Sequence, residues 1–270
     1  MVEQLRVEYP QSVSKACRIL KMSRSTLHYK SIKDDNFFIT ALGSLAEKHP
    51  REGFWKSYGR LRNKGVVVNH KKLYRIYKSI GLAMRRKYKK RLPKREKKPL
   101  VIPSKFTQSW SIDFTSDVLE NGRKFRSFNV IDDYNREVLF IEVDYSLKSS
   151  RVVGVLNHLI GRYGKPQSIR MDNGPELIAG LMTHWSKANN ITFQYIEPGK
   201  PMQNGYIERF NRTYRENVLD SYIFESLEDV REITDEFVKD YNEERPHESL
   251  AGLSPVKYRE MEKQKLAVLN

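Results

Sequence analysis

In Trp110-Ser111-Ile112-Asp113-Phe114, large apolar residues alternate with small or acidic ones, and this segment indicates the fold class. This period of two is typical of a β-strand that buries one face. Two further strand-like stretches follow at 125–131 and 138–143, with a turn-rich segment at 132–136 between them. Three strands with short connections predict an antiparallel meander that begins with the strand carrying Asp113.

Downstream of the meander, predicted helices alternate with predicted strands. In order, they are a helix over 149–162, a strand over 168–171, a helix over 176–189, a strand over 191–195 and a long helix from about Met202. The complete order βββαβαβα is that of the ribonuclease H-like fold, an α/β fold with a mixed five-stranded sheet flanked by helices. We assign this core to residues 105–222 and a C-terminal helical extension to 223–270.

Positive charge is concentrated in the first third of the chain. The 270 residues have a formal net charge of +16, and the first 100 hold 27 of the 49 Lys and Arg but 7 of the 33 Asp and Glu. A field of this sign attracts polyanions, so we expect nucleic acid as the partner. The sequence has no membrane-spanning stretch, and Cys17 is its single cysteine, which favours a reducing compartment. We therefore predict a cytoplasmic, nucleoid-associated protein with no membrane partner.

Residues 1–84 are predicted to form an all-α, helix-turn-helix-like DNA-binding region. Residues 13–28 have the outline of a helix-turn-helix, whose second helix would present Arg24 to a DNA groove, although a simple packing unit is as good an interpretation. Further along, Asn69 is suited to cap a helix that directs Lys71 and Lys72 outward. Both patterns favour a DNA-binding region ahead of the core, and the single cysteine excludes a zinc domain with paired His and Cys ligands there, so we expect this DNA binding to be metal-free.

A cationic run separates this region from the core. Residues 85–98 carry ten cations in fourteen positions, beginning with Arg85 and Arg86. Because like charges repel, we expect the segment 85–104 to be an extended linker that lies on nucleic acid. A solvated spacer or a localisation signal is the alternative.

Three carboxylates lie on three elements of the predicted core that are expected to be close together in space. Asp113 lies on the polar face of the first strand, Asp172 follows the fourth strand, and Glu208 lies in the long helix, with 35 residues between it and Asp172. The first and fourth strands are neighbours in this fold, so the two aspartates would converge beside a helix that delivers the glutamate. Hard oxygen ligands suit Mg²⁺, with Mn²⁺ as a substitute, and a pair of ions per site is the arrangement used for phosphodiester chemistry.

The helix around Glu208 has two distinct faces. Its apolar residues recur on one side, whereas Asn204, Glu208, Asn211 and Arg215 fall together on the other. We expect Asn211 on this stripe to contact DNA beyond the bound metal. Further candidates for phosphate contact are Arg209, Arg212 and, in the loop before the helix, Lys200.

Several motifs resemble those of one known family, the DDE transposases of the insertion-sequence-three family, which are relatives of retroviral integrases. The motifs are Trp110-Ser111-Ile112-Asp113-Phe114, Asp172-Asn173-Gly174-Pro175-Glu176, Gln203-Asn204-Gly205-Tyr206-Ile207-Glu208-Arg209-Phe210 and Arg245-Pro246-His247, with Tyr58-Gly59-Arg60 and Val68-Asn69-His70-Lys71-Lys72 in the region before the core. The resemblance spans about residues 10 to 260. It implies an integrase-like core in which Asp113, Asp172 and Glu208 bind metal and Arg215 contacts the DNA end.

The resemblance also implies the reaction and the partners. The enzyme would cleave a phosphodiester at the 3′ end of an insertion sequence and join the freed hydroxyl to another strand, on double-stranded DNA and as a homo-oligomer. The chain is similar to the downstream-frame catalytic subunit, so an upstream-frame protein or fusion is a further expected partner. A retroelement integrase and a non-catalytic DNA-binding regulator derived from a transposase stay open as alternatives. Arg245-Pro246-His247 has no chemical role that the sequence assigns.

Overall fold

The computed structural model describes residues 13–29, 34–83, 103–178, 180–196 and 204–269. Arg85, Arg86 and Lys200 lie outside the described residues, as does the predicted linker up to residue 102. By internal contacts the chain divides into two compact units, Met1–Ala41 and Leu42–Asn270. The predicted domain boundaries stay a prediction.

The first unit contains the short helices α1 (Val13–Ile19) and α2 (Arg24–His28). Ser23 caps α2, because its side chain accepts a hydrogen bond from the amide of Thr26 at 3.1 Å. The helix-turn-helix outline is therefore present as two short helices joined by a tight turn. Helix α3 (Asn36–Lys48) follows.

The second unit begins at Leu42, within α3, and continues with a helical hairpin of α4 (Phe54–Asn63) and α5 (His70–Ser79). Asn69 caps α5 as predicted, accepting from the amide of Lys71 at 2.8 Å. The helix buries Leu73, Ile76 and Tyr77. It stops before Gly81, whose φ of +78° favours glycine.

The core of the second unit is a five-stranded sheet in the order β3-β2-β1-β4-β5. The strands are β1 (Ser109–Val118), β2 (Lys124–Asp132), β3 (Val138–Asp144), β4 (Ser168–Met171) and β5 (Thr192–Tyr195). The first three pair antiparallel, whereas β4 pairs parallel with both β1 and β5. This mixed sheet has the predicted ribonuclease H-like topology.

Helices cover both faces of the sheet. On one face, α6 (Ser149–Tyr163) and α7 (Gly180–Asn189) pack against apolar residues that include Trp110 and Ile112. On the other lie α8 (Gly205–Tyr214), continued by a π-helical turn at Arg215–Leu219, and α9 (Leu227–Glu243). A 3₁₀ turn (Glu248–Leu250) and α10 (Pro255–Leu269) complete the described chain, in which no helix is long and apolar enough to cross a membrane.

Two predicted helices differ from the observed ones. The helix predicted from residue 176 begins at Gly180, because Gly174 accepts backbone hydrogen bonds from Leu177 and Ile178 and holds the segment in a turn. The long helix predicted from Met202 begins at Gly205 in the described residues, and its regular part ends at Tyr214.

A buried ion cluster joins the α4–α5 hairpin to the helices beyond the sheet. Arg60, 2% exposed, donates to Glu52 at 2.8 Å and to Asp240 of α9 at 2.6 Å. Arg245 pairs with the same Glu52. The hairpin is therefore fixed to the side of the sheet that carries α8 and α9.

Candidate active site

Asp113 and Asp172 lie at the same level on neighbouring strands. The parallel register of β1 and β4 pairs Ser111 with Arg170, so two residues further on each strand brings Asp113 beside Asp172. Neighbouring strands are about 4.8 Å apart. Asp172 is the first residue after β4, which leaves its carboxylate at the carboxyl edge of the sheet.

The carboxylate of Asp113 is held by two hydrogen bonds. Its Oδ2 accepts from Nδ2 of Asn211 at 2.7 Å, and its Oδ1 accepts from the amide of Phe114 at 2.8 Å. Asn211 is itself oriented, because its Oδ1 accepts from Nδ2 of Asn129 at 2.8 Å. Asn129 lies opposite Asp113 in the β1–β2 register. The relay from Asn129 through Asn211 fixes Asp113 against α8.

Glu208 is the acid that α8 contributes. It lies one turn before Asn211, with its side chain exposed, and partial burial raises its pKa. The pKa of Asp113 is raised to about 6, mainly by burial and also by the negative charges of Asp172 and Glu208, against the two hydrogen bonds that lower it. Asp113 therefore lies close enough to the other two carboxylates of the predicted triad to interact electrostatically with both.

The three acids share one region without forming a closed ligand set. Within the described ranges, no three Asp, Glu, His or Cys side chains are close enough together to hold a metal ion as they stand. Asp172 turns back on its own loop, where Oδ1 accepts from the amide of Gly174 at 3.0 Å. The assignment of Asp113, Asp172 and Glu208 as metal ligands stays a prediction.

The loop after Asp172 is tied to the sheet at two points. The side chain of Asn173 donates to the carbonyl of Ile196 at 3.1 Å. Glu176 pairs with Arg126, whose guanidinium lies 4.4 Å from the centre of the Phe114 ring, and this hydrogen bond lowers the pKa of Glu176. Glu176 is thus engaged by a cation of β2.

Arg215, in the π-helical turn after α8, places its guanidinium beside the C-terminal end of β1. Its guanidinium donates to the carbonyl of Ser116 at 2.8 Å and lies 3.5 Å from Asp117 and 3.7 Å from Asp220. The side chain is 41% exposed. A DNA contact by Arg215 stays a prediction, and it requires exchange of these internal partners for a phosphate.

The other predicted DNA contacts are spread over the surface. Arg209 is exposed beside Glu208, and Arg212 is exposed but paired with Glu216 at 2.8 Å. In the hairpin, Lys71 is exposed and Lys72 is half-buried. In the first unit, Arg24 donates to the hydroxyl of Ser14 at 3.4 Å.

The sequence interpretation assigned Asn211 to DNA and missed Asn129. The structure places Asn211 on the carboxylate of Asp113. Asn129 is fully buried within an otherwise apolar stretch of β2. An amide at such a position needs a buried partner, and this was the available signal.

Comparison with known proteins gives one consistent family. Models of the integrase core domain match residues 103–201 and 189–255. The chain is 36% identical to the insertion element IS407 uncharacterized 31.7 kDa protein of Burkholderia multivorans, over 92% of this chain and 90% of that one. It is 23% identical to the putative transposase InsK for insertion sequence element IS150 of Escherichia coli, over 96% of both chains.

Among solved structures, the HTLV-2 integrase catalytic core domain in complex with magnesium has a TM-score of 0.47 and 17% identity, over 60% of this chain and 99% of that one. The topology of the sheet, the two integrase-core matches and the IS407 relative identify the family. The chain belongs to the insertion-sequence transposases with an integrase-like core, which are polynucleotidyl transferases that act on DNA.

Proposed function

We propose that this transposase cleaves the 3′ end of its insertion sequence and transfers that end to target DNA, using Asp113, Asp172 and Glu208 to bind two Mg²⁺ ions. The observation that carries the proposal is the parallel register that brings Asp113 beside Asp172, next to the helix of Glu208. The same proximity is expressed in the pKa of Asp113, which the negative charges of Asp172 and Glu208 raise in addition to burial.

The donor set fits a hard divalent cation. All three side chains offer carboxylate oxygens, the ligands that Mg²⁺ and Mn²⁺ prefer in proteins. Asp113 is pre-oriented by Asn211, whereas the exposed Glu208 has room to turn toward the aspartates. Metal ions would activate the attacking oxygen and stabilise the leaving oxygen.

The proposed activity consists of two successive reactions, each of which forms one P–O bond and breaks another. In the first, water attacks the phosphodiester at the element end, and the 3′ oxygen leaves and takes up a proton. In the second, that 3′ hydroxyl attacks a target phosphodiester, loses its proton, and displaces the 3′ oxygen of the target strand. Asp113, Asp172 and Glu208 would hold the cations that neutralise and position the reacting phosphate, and Asn211 keeps the carboxylate of Asp113 directed toward that site.

DNA ends and target DNA are the proposed partners. The net charge of +16 and the cationic first third suit phosphate binding. Two element ends need two active sites, so we propose a homo-oligomer on DNA, with an upstream-frame protein or fusion as a further partner. The assignment of the helix-turn-helix unit with Arg24 to DNA binding belongs to the same proposal.

The test replaces each acid by its amide. Asp113→Asn, Asp172→Asn and Glu208→Gln should each lower Mg²⁺-dependent cleavage and joining at least about 100-fold on a duplex that ends in the terminal sequence of the encoding element. DNA binding at low salt should persist, because most of the positive charge lies elsewhere. Glu216→Gln, two turns further along the same helical segment, is the matched control. Equal strand joining by the parent protein and the triad variants would contradict the catalytic proposal and would favour the alternative function of a non-catalytic DNA-binding regulator.

A further inference from the structure

Trp55 is unlike the other two tryptophans of the chain. It is 62% exposed on α4, whereas Trp110 and Trp185 are 0% and 6% exposed. Three neighbouring rings surround it, with centroid distances of 5.2 Å to Phe54, 5.9 Å to Tyr58 and 5.8 Å to His70. Single exposed apolar residues are common, but an indole held among other rings forms a rigid, open aromatic surface.

Trp55 stands between two surface grooves. The first, of about 870 Å³, lies between α4 and α5 and includes Lys71 and Tyr74. The second, of about 650 Å³, runs from Trp55 past Arg62 to Arg209. Lys56 lines both. Either volume suits a nucleobase with its sugar, since small-molecule sites measure about 300–1,000 Å³.

The charge of the grooves selects an anionic occupant. Lys56 and Lys71 line the first groove, and Lys56, Arg62 and Arg209 line the second, where Glu248 is the acid present. Cations beside an aromatic platform are the combination that proteins use for unpaired nucleic acid, with the backbone on the cations and a base on the ring. An acidic peptide has the same sign of charge but no flat base to cover the indole.

The second groove leads to the catalytic helix. Arg209 directly follows Glu208 on α8. The hairpin that carries Trp55 is fixed to the core by the buried pairs of Arg60 with Glu52 and Asp240. The distance from the platform to the proposed active site is therefore set by buried contacts.

We propose that Trp55 is a stacking platform for an unpaired base of the DNA strand that enters the active site, with Arg62 and Arg209 on the adjacent phosphates. The proposal rests on the proposed function for the identity of the strand. The proposal gives the α4–α5 hairpin a second role besides the attraction of duplex DNA. The hairpin would hold a DNA strand that has separated from the duplex, and would hold it close to Glu208.

Tryptophan fluorescence provides a direct test, because Trp55 is the exposed indole and the other two are shielded. Full-length protein is titrated with a duplex that has a short single-stranded 3′ overhang and with a blunt duplex of equal length and charge. The overhang should quench the fluorescence and bind more tightly. Trp55→Leu should abolish the quenching and weaken overhang binding about 5- to 100-fold, as expected for the loss of one stacked base. Trp55→Phe should restore most of the affinity.

Two controls separate stacking from charge and from misfolding. Arg62→Gln should lower the slope of log affinity against log salt by about 1, whereas Trp55→Leu should leave that slope unchanged. Tyr222→Ala removes another exposed aromatic, 51% exposed, and should bind both duplexes like the parent. Circular dichroism and melting temperature confirm that each variant is folded.

The results also distinguish this proposal from the catalytic one. Overhang-specific quenching that survives in Asp113→Asn supports the platform, whatever the outcome of the joining assay. Equal quenching by blunt and overhang duplexes, or unchanged overhang affinity in folded Trp55→Leu, would overturn it. Quenching by a poly-glutamate peptide but not by the overhang would assign the grooves to a protein partner and overturn it as well.

Discussion

Asn211 donates its side-chain amide to the carboxylate of Asp113 at 2.7 Å, joining α8 to β1 at the centre of the candidate active site. The orientation of the amide is not free, because Asn129 donates to the Oδ1 of Asn211 at 2.8 Å. The half-buried amide of Asn211 thus points its donor group toward the acid and its acceptor group away from it. Asn211 acts as a positioning residue for Asp113.

The first prediction concerns this relay. Asn211→Ala leaves Asp113 with one donor fewer and Asn129 without its acceptor, so we expect stability to fall by about 1–2 kcal/mol. We also expect strand joining to need about 10- to 100-fold more Mg²⁺, as for other residues that orient a metal ligand. Titration of joining activity with Mg²⁺ measures the shift. Asn217→Ala, which removes a hydrogen bond to the carbonyl of Thr213, is the matched control. An unchanged Mg²⁺ midpoint in Asn211→Ala would contradict the positioning role.

The second prediction concerns the ion cluster around Arg60. Although burial raises the pKa of Glu52, the hydrogen bond from Arg60 and the charge of Arg245 lower it below its ordinary value overall. Arg60→Met leaves Glu52 buried beside Asp240 with less positive charge, and should destabilise the protein by about 3–5 kcal/mol. Arg212→Met, which removes an exposed pair with Glu216, should change stability by less than about 1 kcal/mol. Urea unfolding of both variants checks this, and similar losses would show that the Arg60 cluster contributes no more than a surface pair.

Local sequence patterns predicted most of the helices and strands, but they could not predict the contacts between residues that are far apart along the chain. Asn69 as an N-cap and Gly81 as a helix stop depend on neighbours within a few residues, so their positions are readable. The alternation around Asp113 indicated its strand and its polar face. The partners of Arg60 are 8 and 180 residues away along the chain, and no spacing rule connects such positions.

The same reason explains the incomplete prediction of the site. The strand order implied that Asp113 and Asp172 are neighbours, because it follows from topology. The role of Asn211 depends on which side chain of β2 lies beneath it. Helix α8 ends at Tyr214 because a π-helical turn begins at Arg215. This turn changes the direction in which successive side chains point, and it begins at the residue that donates a hydrogen bond to the carbonyl of Ser116.

The third prediction concerns the contact between two sequence motifs. A Cβ added to Gly59 would lie 2.8 Å from both Cβ and Cγ of Pro246, closer than side chains tolerate. Gly59→Ala should therefore separate α4 from the turn at Pro246 and lower stability by about 1–3 kcal/mol. Gly154→Ala, in helix α6 with no atom within 4 Å, should raise stability by up to about 1 kcal/mol. Thermal unfolding distinguishes the two variants, and a stabilised Gly59→Ala would show that this packing is loose.

The fourth prediction concerns pH and His247. Its Nε2 is buried and has no hydrogen-bond partner in the described part of the chain, and its ring packs edge-on against Tyr241 at 4.8 Å. Burial lowers the pKa of His247 well below its ordinary value, and the cations Lys56, Arg245, Arg209 and Arg136 lower it further. The native imidazole therefore stays neutral at pH values where the imidazole of the unfolded chain takes up a proton, near pH 6.5.

The sign of the effect follows from proton binding. At about pH 8 and above, both states hold a neutral ring and His247 gives no pH dependence. Below about pH 6.5 the unfolded state binds an extra proton, so the free energy of unfolding should fall by up to about 1.4 kcal/mol per pH unit. His247→Phe removes this contribution, and the difference in stability between the two proteins should change with pH only on the acid side. Urea unfolding from pH 5 to pH 8 measures it. Parallel stability profiles for the two proteins would mean that the ring is protonated as easily in the folded state as in the unfolded chain.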